Sequence, residues 1–214
     1  DDTAGNRSAY NWKTEKAVGV NDQTHIMNGT FVYQLPLGRG HARGSGNPVL
    51  RAIVSDWEFS GITQYRTGRP LGIIAAACNL PNAGGCYADF NPAFSGAARI
   101  NGDWGSGDVR GTAAPAFIDR NAFVSPAAYT YGNTPRTLAF GLRNPASFNQ
   151  DMSLRRTFRI RERLRLKIGV AAFNVFNRVG FGGIGTNITS ANFGTVSTQA
   201  NAPRQVQLTA RIEL

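Results

Sequence analysis

Apolar and polar side chains alternate strictly along the end of the chain, 205–214. Successive side chains of a β-strand point to opposite faces, so this pattern predicts a strand with one apolar and one polar face. The same alternation predicts strands over 151–158 and 164–172, and the short link between them predicts a tight hairpin. The alternation slips by one residue at 173–177, which indicates either a β-bulge or the end of the strand.

Two earlier segments show a weaker form of the same pattern. Apolar residues share one face over about 25–36 and again over about 56–67, which predicts two further strands. The segments 71–145 and 180–203 are rich in small and polar residues and show no sustained period. Long structureless loops are uncommon in compact soluble domains and are usually functional. Long loops therefore alternate with shorter links along the chain.

The composition argues against a nucleic-acid partner although the chain is basic. The 214 residues include 23 Lys and Arg against 13 Asp and Glu, a formal net charge of +10, but only 17% of residues are charged. The positive charge therefore comes from scarce acids rather than from the clustered bases that nucleic-acid binding requires. A single-stranded nucleic-acid binder with stacking aromatics, which would show steep salt dependence, is the weakest of three alternatives.

An outer-membrane β-barrel explains the strands and the loops together. The longest apolar run, 72–78, is far shorter than the ~20 residues of a membrane helix, which excludes a helical membrane protein. Strands of ~9–11 alternating residues, with short turns at one end and long loops at the other, are typical of outer-membrane barrels. A soluble secreted β-rich ligand-binding module or adhesin stays open as the alternative, because its strands alternate too.

The polar faces of the predicted strands are cationic, which suits a water-filled lumen. The candidate lumen residues are Arg155, Arg163, Arg165, Lys167 and Arg211. They either bind an anionic substrate or acidic groups inside the barrel, or form a solvated wall paired with local acids such as Asp151 and Glu213.

Arg156 lies on the predicted lipid face. A cation costs ~2–4 kcal/mol at the bilayer midplane but only ~0–1 kcal/mol near the interface. Arg156 is therefore expected close to the membrane interface, with its side chain reaching toward the headgroups.

Little else in the sequence suggests a reactive site. Cys78 and Cys86 bracket a short loop, so they are candidates for a disulfide in an oxidising compartment or for two inert thiols.

Aromatic residues of the long loop either stack on a substrate or pack the loop's own core. The candidates for substrate contact are Tyr87, Trp104, Tyr129 and Tyr131. The sequence contains no nucleophile–base, phosphate-loop or metal-ligand motif, so we expect no catalytic activity, cofactor or metal.

Short motifs follow one another in order over nearly the whole chain. They are DQTH at 22–25, FVYQLPLGRG at 31–40, WEFSGI at 57–62, TGRP at 67–70, FIDRNAF at 117–123, GNTPR at 132–136, GLR at 141–143, NQDMSL at 149–154 and FNVFN at 173–177. With these motifs the chain resembles the C-terminal barrel portion of TonB-dependent outer-membrane receptors. The resemblance is strongest to the Oar-like group, which carries an N-terminal carboxypeptidase-regulatory-like domain.

The resemblance implies an all-β fold in the outer membrane of a Gram-negative bacterium. The implied fold is an antiparallel transmembrane β-barrel segment, about five strands of a larger plugged barrel of the 22-stranded type, with long extracellular loops. The implied organisation is an extracellular loop remnant at 1–24, a strand hairpin with a periplasmic link at 25–70, a long extracellular loop at 71–146 and the last three strands at 147–214. A Cys78–Cys86 bridge would then lie outside the cell, and Arg156 near the periplasmic headgroups.

The resemblance also implies a role in uptake of an unidentified substrate, with the chain forming barrel wall and extracellular loops. The implied partners are outer-membrane lipid, the remainder of the barrel and its plug, and the TonB machinery acting through that plug. Because the sequence opens at Asp1 with neither a Met nor a signal-peptide pattern, we expect a processed product or a fragment. Leu214 departs from the family, which usually ends on an aromatic residue.

Overall fold

The computed structural model describes residues 15–36, 55–75, 80, 86–100, 116–162 and 164–214. The strands are β1 (Ile26–Gln34), β2 (Trp57–Arg66), β3 (Pro70–Leu71), β4 (Asp89–Phe90), β5 (Phe123–Val124), β6 (Leu138–Arg143), β7 (Ser147–Arg159), β8 (Arg165–Phe173) and β9 (Gln205–Glu213), and a 3₁₀ helix, Arg120–Ala122, precedes β5. The five predicted strands are confirmed as β1, β2, β7, β8 and β9. Nowhere in the described residues does a helix have the length and apolar character needed to cross a membrane.

The chain divides into two compact units, each built from segments that are distant in sequence. The sheet unit comprises 26–65, 148–179 and 201–214. The loop unit comprises 1–25, 66–147 and 180–200. The sheet unit contains the five predicted strands, and the loop unit contains the two long loops that the sequence pattern left without structure.

The sheet unit is a five-stranded sheet in the order β1-β2-β7-β8-β9. β1 and β2 run antiparallel, because the end of one meets the start of the other through the bond from Leu35 N to Trp57 O, at 2.9 Å. β7 pairs with β8, and β8 with β9, in antiparallel register. β2 lies against β7, as the 2.8 Å contact between the hydroxyls of Ser60 and Ser153 shows. Two neighbouring strands thus flank the whole 67–146 segment.

The register places the alternating residues on two consistent faces. Leu154 lies opposite Val170, and Val170 lies opposite Leu208, so these three share the apolar face. Lys167 lies opposite Thr157 and Arg211, and these three share the polar face. The side-chain alternation of the sequence therefore matches the observed sheet.

A tight turn joins β7 to β8, and a different turn follows β8 at the other end of the hairpin. The tight link is confirmed: the backbone N–H groups of Ile160 and Arg161 both donate to the carbonyl of Leu164, at 3.0 and 3.2 Å. At the other end β8 stops at Phe173, and the following residue Asn174 takes a left-handed backbone conformation with φ of 49°. The slip in the alternation therefore marks a strand end and not a bulge.

The loop unit has a hydrophobic core of its own. β3 pairs with β6, and β4 pairs with β5, in short antiparallel ladders. The buried apolar residues are Leu71, Ile73, Ala75, Ala88, Phe117, Ile118, Ala122, Phe123, Leu138, Leu142, Ile184, Ile188, Phe193 and Val196. Both long loops contribute to this cluster. The long loops are therefore a folded body, although neither shows the regular spacing by which a sequence reveals such a body.

Candidate functional site

The apolar face of the sheet unit is open. Among the described residues, every buried hydrophobic side chain belongs to the loop unit and none to the sheet unit. On β9 the apolar side chains of Val206, Leu208 and Ile212 are 61%, 81% and 66% exposed. In a soluble β-sandwich this face would be covered by a second sheet. An open face of this kind is instead expected of strands that contact lipid.

Aromatic contacts line the apolar face at the β1, β2 and β7 strands. The rings of Phe31 and Phe59 lie 5.2 Å apart between centroids, and those of Tyr65 and Phe148 lie 6.5 Å apart. Gly61 makes room for this packing, because a Cβ atom there would lie 2.6 Å from the Phe31 ring. The WEFSGI motif therefore supplies both Phe59, which packs against the Phe31 ring, and Gly61, which leaves space for that ring.

The polar face carries the predicted cations that the structure describes. Arg155 lies opposite Gly169, and Lys167 lies opposite Arg211, while Arg165 is two residues before Lys167 on the same face of β8. Arg163 lies outside the described residues. Four of the five candidate lumen residues thus share one face of three adjacent strands.

One acid neutralises part of this cationic face. Glu213 Oε1 lies 2.9 Å from Lys167 Nζ and 3.6 Å from Arg211 Nε, and it is the register partner of Arg165. The prediction that Glu213 pairs with the cations is confirmed.

The same prediction for Asp151 is wrong. Its Oδ1 instead accepts hydrogen bonds from the side-chain amide of Asn149 and from the backbone N–H of Asn174, both at 2.9 Å. Asp151 lies near the start of β7, beside the turn that follows β8, so the Asn149 amide and a backbone donor of that turn are its hydrogen-bond partners. The carboxylate therefore stabilises a turn.

The FNVFN motif forms that turn. The side-chain amide of Asn174 donates to the carbonyls of Arg178 and Ala202, at 2.9 and 3.1 Å, and its Oδ1 accepts from Arg178 N–H. Asn177, also left-handed with φ of 51°, accepts from Arg204 N–H through Oδ1. The two asparagines join the end of β8 to the chain that enters β9. Sequence reasoning recognised the motif but not this role.

Arg156 is packed on the apolar face close to the tight hairpin. Its guanidinium carbon lies 4.0 Å from the Phe158 ring centroid and 5.6 Å from that of Trp57, and Nε donates to Ser55 O at 3.2 Å. It is three residues from Arg159, where β7 ends. The expected position of Arg156 close to the membrane interface stays a prediction.

The candidate substrate contacts of the long loop have different surroundings. Tyr129 is 71% exposed and lies in a turn closed by the bond from Thr130 N to Ala127 O. Tyr87 and Tyr131 are half-buried, and Tyr87 bridges Ile74 in a short β-contact. Trp104 lies outside the described residues. A substrate contact at these positions stays a prediction.

The candidate disulfide also stays a prediction. Cys78 lies outside the described residues. Cys86 is partly buried and packs against the hydrophobic core of the loop unit.

The GNTPR motif docks against the segment 87–90. Asn133 N–H donates to Asp89 Oδ1 at 2.6 Å, and Asn133 Oδ1 accepts from Phe90 N–H at 2.8 Å. Thr134 is fully buried and donates its hydroxyl to Ala88 O. Gly132 has φ of 73°, and a Cβ there would lie 2.1 Å from Tyr87 O. The motif therefore joins residues 132–134 to residues 87–90 within the loop unit, and we call this set of contacts the GNTPR clasp.

Arg120 forms a second clasp, between the two long loops. Its Nη1 and Nη2 donate to the carbonyls of Ile188 and Ser190, at 2.6 and 2.5 Å. The guanidinium also lies 5.5 Å from the Phe193 ring centroid. Asp119, next to it, accepts from Asn121 N–H through Oδ1 and so begins the 3₁₀ helix. The FIDRNAF motif therefore stabilises the folded loop unit.

Comparison with known proteins identifies the family. A family model described as an outer membrane beta barrel domain matches residues 1–207. The chain belongs to this family. No curated protein and no solved structure matches the chain.

An outer membrane beta barrel domain resides in the bacterial outer membrane, and its lipid is therefore a partner of this chain. The family agrees with the open apolar face of the sheet unit and disfavours the soluble secreted module. In barrels of this kind the apolar face of the strands is the one that contacts lipid.

Proposed function

We propose that this barrel domain is part of a TonB-dependent receptor and forms barrel wall and extracellular loops for substrate uptake. The ordered motifs from DQTH at 22–25 to FNVFN at 173–177 support the proposal. The observation that carries it is the division of the chain into an open, amphipathic sheet and a separately folded loop body. A receptor needs both, because the sheet faces lipid and the loops face the substrate. The proposal assigns no catalytic chemistry to the chain.

The proposal includes further strands and a plug as partners. In the order β1-β2-β7-β8-β9, β1 and β9 are the outer strands of the described sheet. Unpaired strand edges are not tolerated in hydrocarbon, and the smallest natural barrels have ~8 strands. The sheet therefore requires additional strands at both edges. The cationic polar face would then line the interior, where acidic groups of a plug or an anionic substrate can meet it.

The proposal also assigns the two ends of the strands to opposite sides of the membrane. Outer-membrane barrels have short periplasmic turns and long extracellular loops. The tight hairpin link at Glu162 is therefore placed in the periplasm. The chain enters the loop unit from the opposite ends of the strands, after β2 and before β7. Tyr129, in that unit, is therefore placed outside the cell.

Cysteine labelling in intact cells tests this sidedness. The complete protein would be produced in outer membranes as Tyr129→Cys or Glu162→Cys, both exposed positions, and treated with a membrane-impermeant maleimide. We expect labelling of Tyr129→Cys alone in intact cells and of both variants after lysis. The unmodified protein controls for reaction at Cys78 and Cys86. Labelling of Glu162→Cys in intact cells would overturn the assignment.

A binding experiment tests the receptor class separately. The complete protein, purified in detergent, would be mixed with the purified periplasmic domain of TonB, with a porin as the negative control. We expect the TonB domain to be retained by the protein and not by the porin. Equal retention by both would overturn the TonB proposal and leave the barrel unaffected.

A further inference from the structure

Arg156 is an unusual residue for the lipid face of a barrel. It occupies the apolar face, with Leu154 and Phe158 as its same-face neighbours along β7 and Ile168 opposite on β8. It is only 7% exposed. Among the described residues, the ion pairs formed do not include Arg156, so no described carboxylate neutralises it. A charge in this position requires a compensating partner, because hydrocarbon offers none.

The surroundings of Arg156 hold its guanidinium in one orientation. The Phe158 ring lies at 4.0 Å and the Trp57 ring at 5.6 Å from the guanidinium carbon. Nε donates a hydrogen bond to the carbonyl oxygen of Ser55, a buried residue just before β2. Within the described residues neither Nη atom of Arg156 donates a hydrogen bond to a protein acceptor. The two Nη groups therefore remain as a planar pair of donors without a protein acceptor.

Arg156 lies close to one end of its strand. Three residues separate it from the end of β7 at Arg159, roughly 10 Å along the strand at about 3.3 Å per residue. Trp57, which opens β2 beside it, is a residue type enriched at membrane interfaces. The side chain can therefore reach the boundary between hydrocarbon and headgroups.

We propose that Arg156, held by Trp57, Phe158 and Ser55, binds the phosphate of a glycerophospholipid in the periplasmic leaflet. A planar pair of N–H donors matches the oxygens of a phosphate group, and the anion neutralises the buried charge. The acyl chains would lie along the neighbouring apolar face at Ile168 and Leu166. This inference rests on the sidedness proposed above.

Native mass spectrometry of the complete protein in detergent, titrated with phosphatidylglycerol, tests the site. Arg156→Gln should weaken retention of one lipid by about tenfold or more, since it removes charge-assisted hydrogen bonds. Arg155→Gln is the matched control, because the adjacent residue projects from the polar face and should leave lipid retention unchanged. Equal loss in both variants, or loss in neither, would overturn the proposal.

A second measurement needs no variant and therefore does not depend on the folding of Arg156→Gln. The unmodified protein would be titrated with phosphatidylglycerol and with a diacylglycerol of the same acyl chains, which lacks the phosphate. We expect retention of the phospholipid only. Equal retention of both lipids would overturn phosphate recognition. Labelling of Glu162→Cys from outside would overturn the leaflet and the sidedness, while leaving the phosphate dependence measured here intact.

Discussion

The carboxylate of Asp151 accepts a hydrogen bond of 2.9 Å from the backbone N–H of Asn174, the first residue after β8. The contact joins the beginning of β7 to the turn that ends its hairpin partner. Asn174 is buried and left-handed, and its amide bonds to the carbonyls of Arg178 and Ala202. The end of the hairpin is therefore closed by polar contacts from an asparagine and an aspartate rather than by apolar packing.

Replacement of Asn174 should destabilise the barrel. Asn174→Ala removes three side-chain hydrogen bonds and keeps the unfavourable left-handed backbone, so we expect a loss of about 2–4 kcal/mol in the free energy of unfolding. Asn174→Gly removes the same bonds but tolerates the backbone, and should be less damaging by about 1 kcal/mol. Urea unfolding of the complete protein in phospholipid vesicles measures both. Equal losses would mean that the backbone conformation contributes nothing.

Asn177 provides the control for this comparison. It is also left-handed but exposed, and it makes a single side-chain bond to Arg204 N–H. We expect Asn177→Gly to change the free energy of unfolding by less than about 1 kcal/mol, since an exposed hydrogen bond is readily replaced by water.

The two faces of β9 should respond oppositely to a cation. Leu208 and Gln207 are adjacent and project from the apolar and polar faces. Leu208→Lys near the middle of the strand is expected to cost about 2–4 kcal/mol, whereas Gln207→Lys should cost less than about 1 kcal/mol in a wet lumen. The same vesicle unfolding assay compares the pair. A larger loss for Gln207→Lys would reverse the assignment of lipid and lumen faces.

Gly132 should not tolerate a side chain. Its φ is 73°, and an added Cβ would meet Tyr87 O at 2.1 Å, so Gly132→Ala must displace one side of the GNTPR clasp. We expect a cost of about 1–3 kcal/mol or more, seen as faster protease cleavage of the loop unit in the folded protein. Gly29→Ala is the matched control, because nothing lies within 4 Å of its added Cβ. Cleavage at equal rates in both variants would contradict the clasp.

The ion pair between Lys167 and Glu213 should be weak and sensitive to salt. The two side chains are 45% and 29% exposed on the polar face. A double-mutant cycle with Lys167→Gln and Glu213→Gln should give only a small coupling energy, as for other exposed pairs. The coupling should fall further at about 1 M salt, where the screening length is only ~3 Å. A coupling that salt does not change would indicate a dry polar face.

The strands and their faces could be predicted from the sequence because both depend on a local property. A period of two residues places Leu164 and Leu166 on one face and Arg165 and Lys167 on the other, whatever the partners are. The place of Arg156 on the apolar face followed in the same way, from its position in the alternation. The tight β7–β8 hairpin followed from the short link between two such patterns.

The pairing of Glu213 with Lys167 was also accessible, since both carry complementary charges on predicted polar faces. The role of Asp151 was not, because it depends on which backbone donors the turn at Asn174 brings to the carboxylate. Sequence alone identified the acid but could not choose its partner.

The amphipathic strands were determined by the sequence itself, whereas the tertiary structure decided the loop unit. Its core forms from residues without regular spacing, such as Ile73, Phe117 and Val196, which only the folded chain brings together. Its clasps join residues far apart in the chain, such as Thr134 with Ala88 and Arg120 with Ile188. The tertiary structure likewise left the apolar sheet face open, because a strand's alternation is the same whether that face meets lipid or a second sheet.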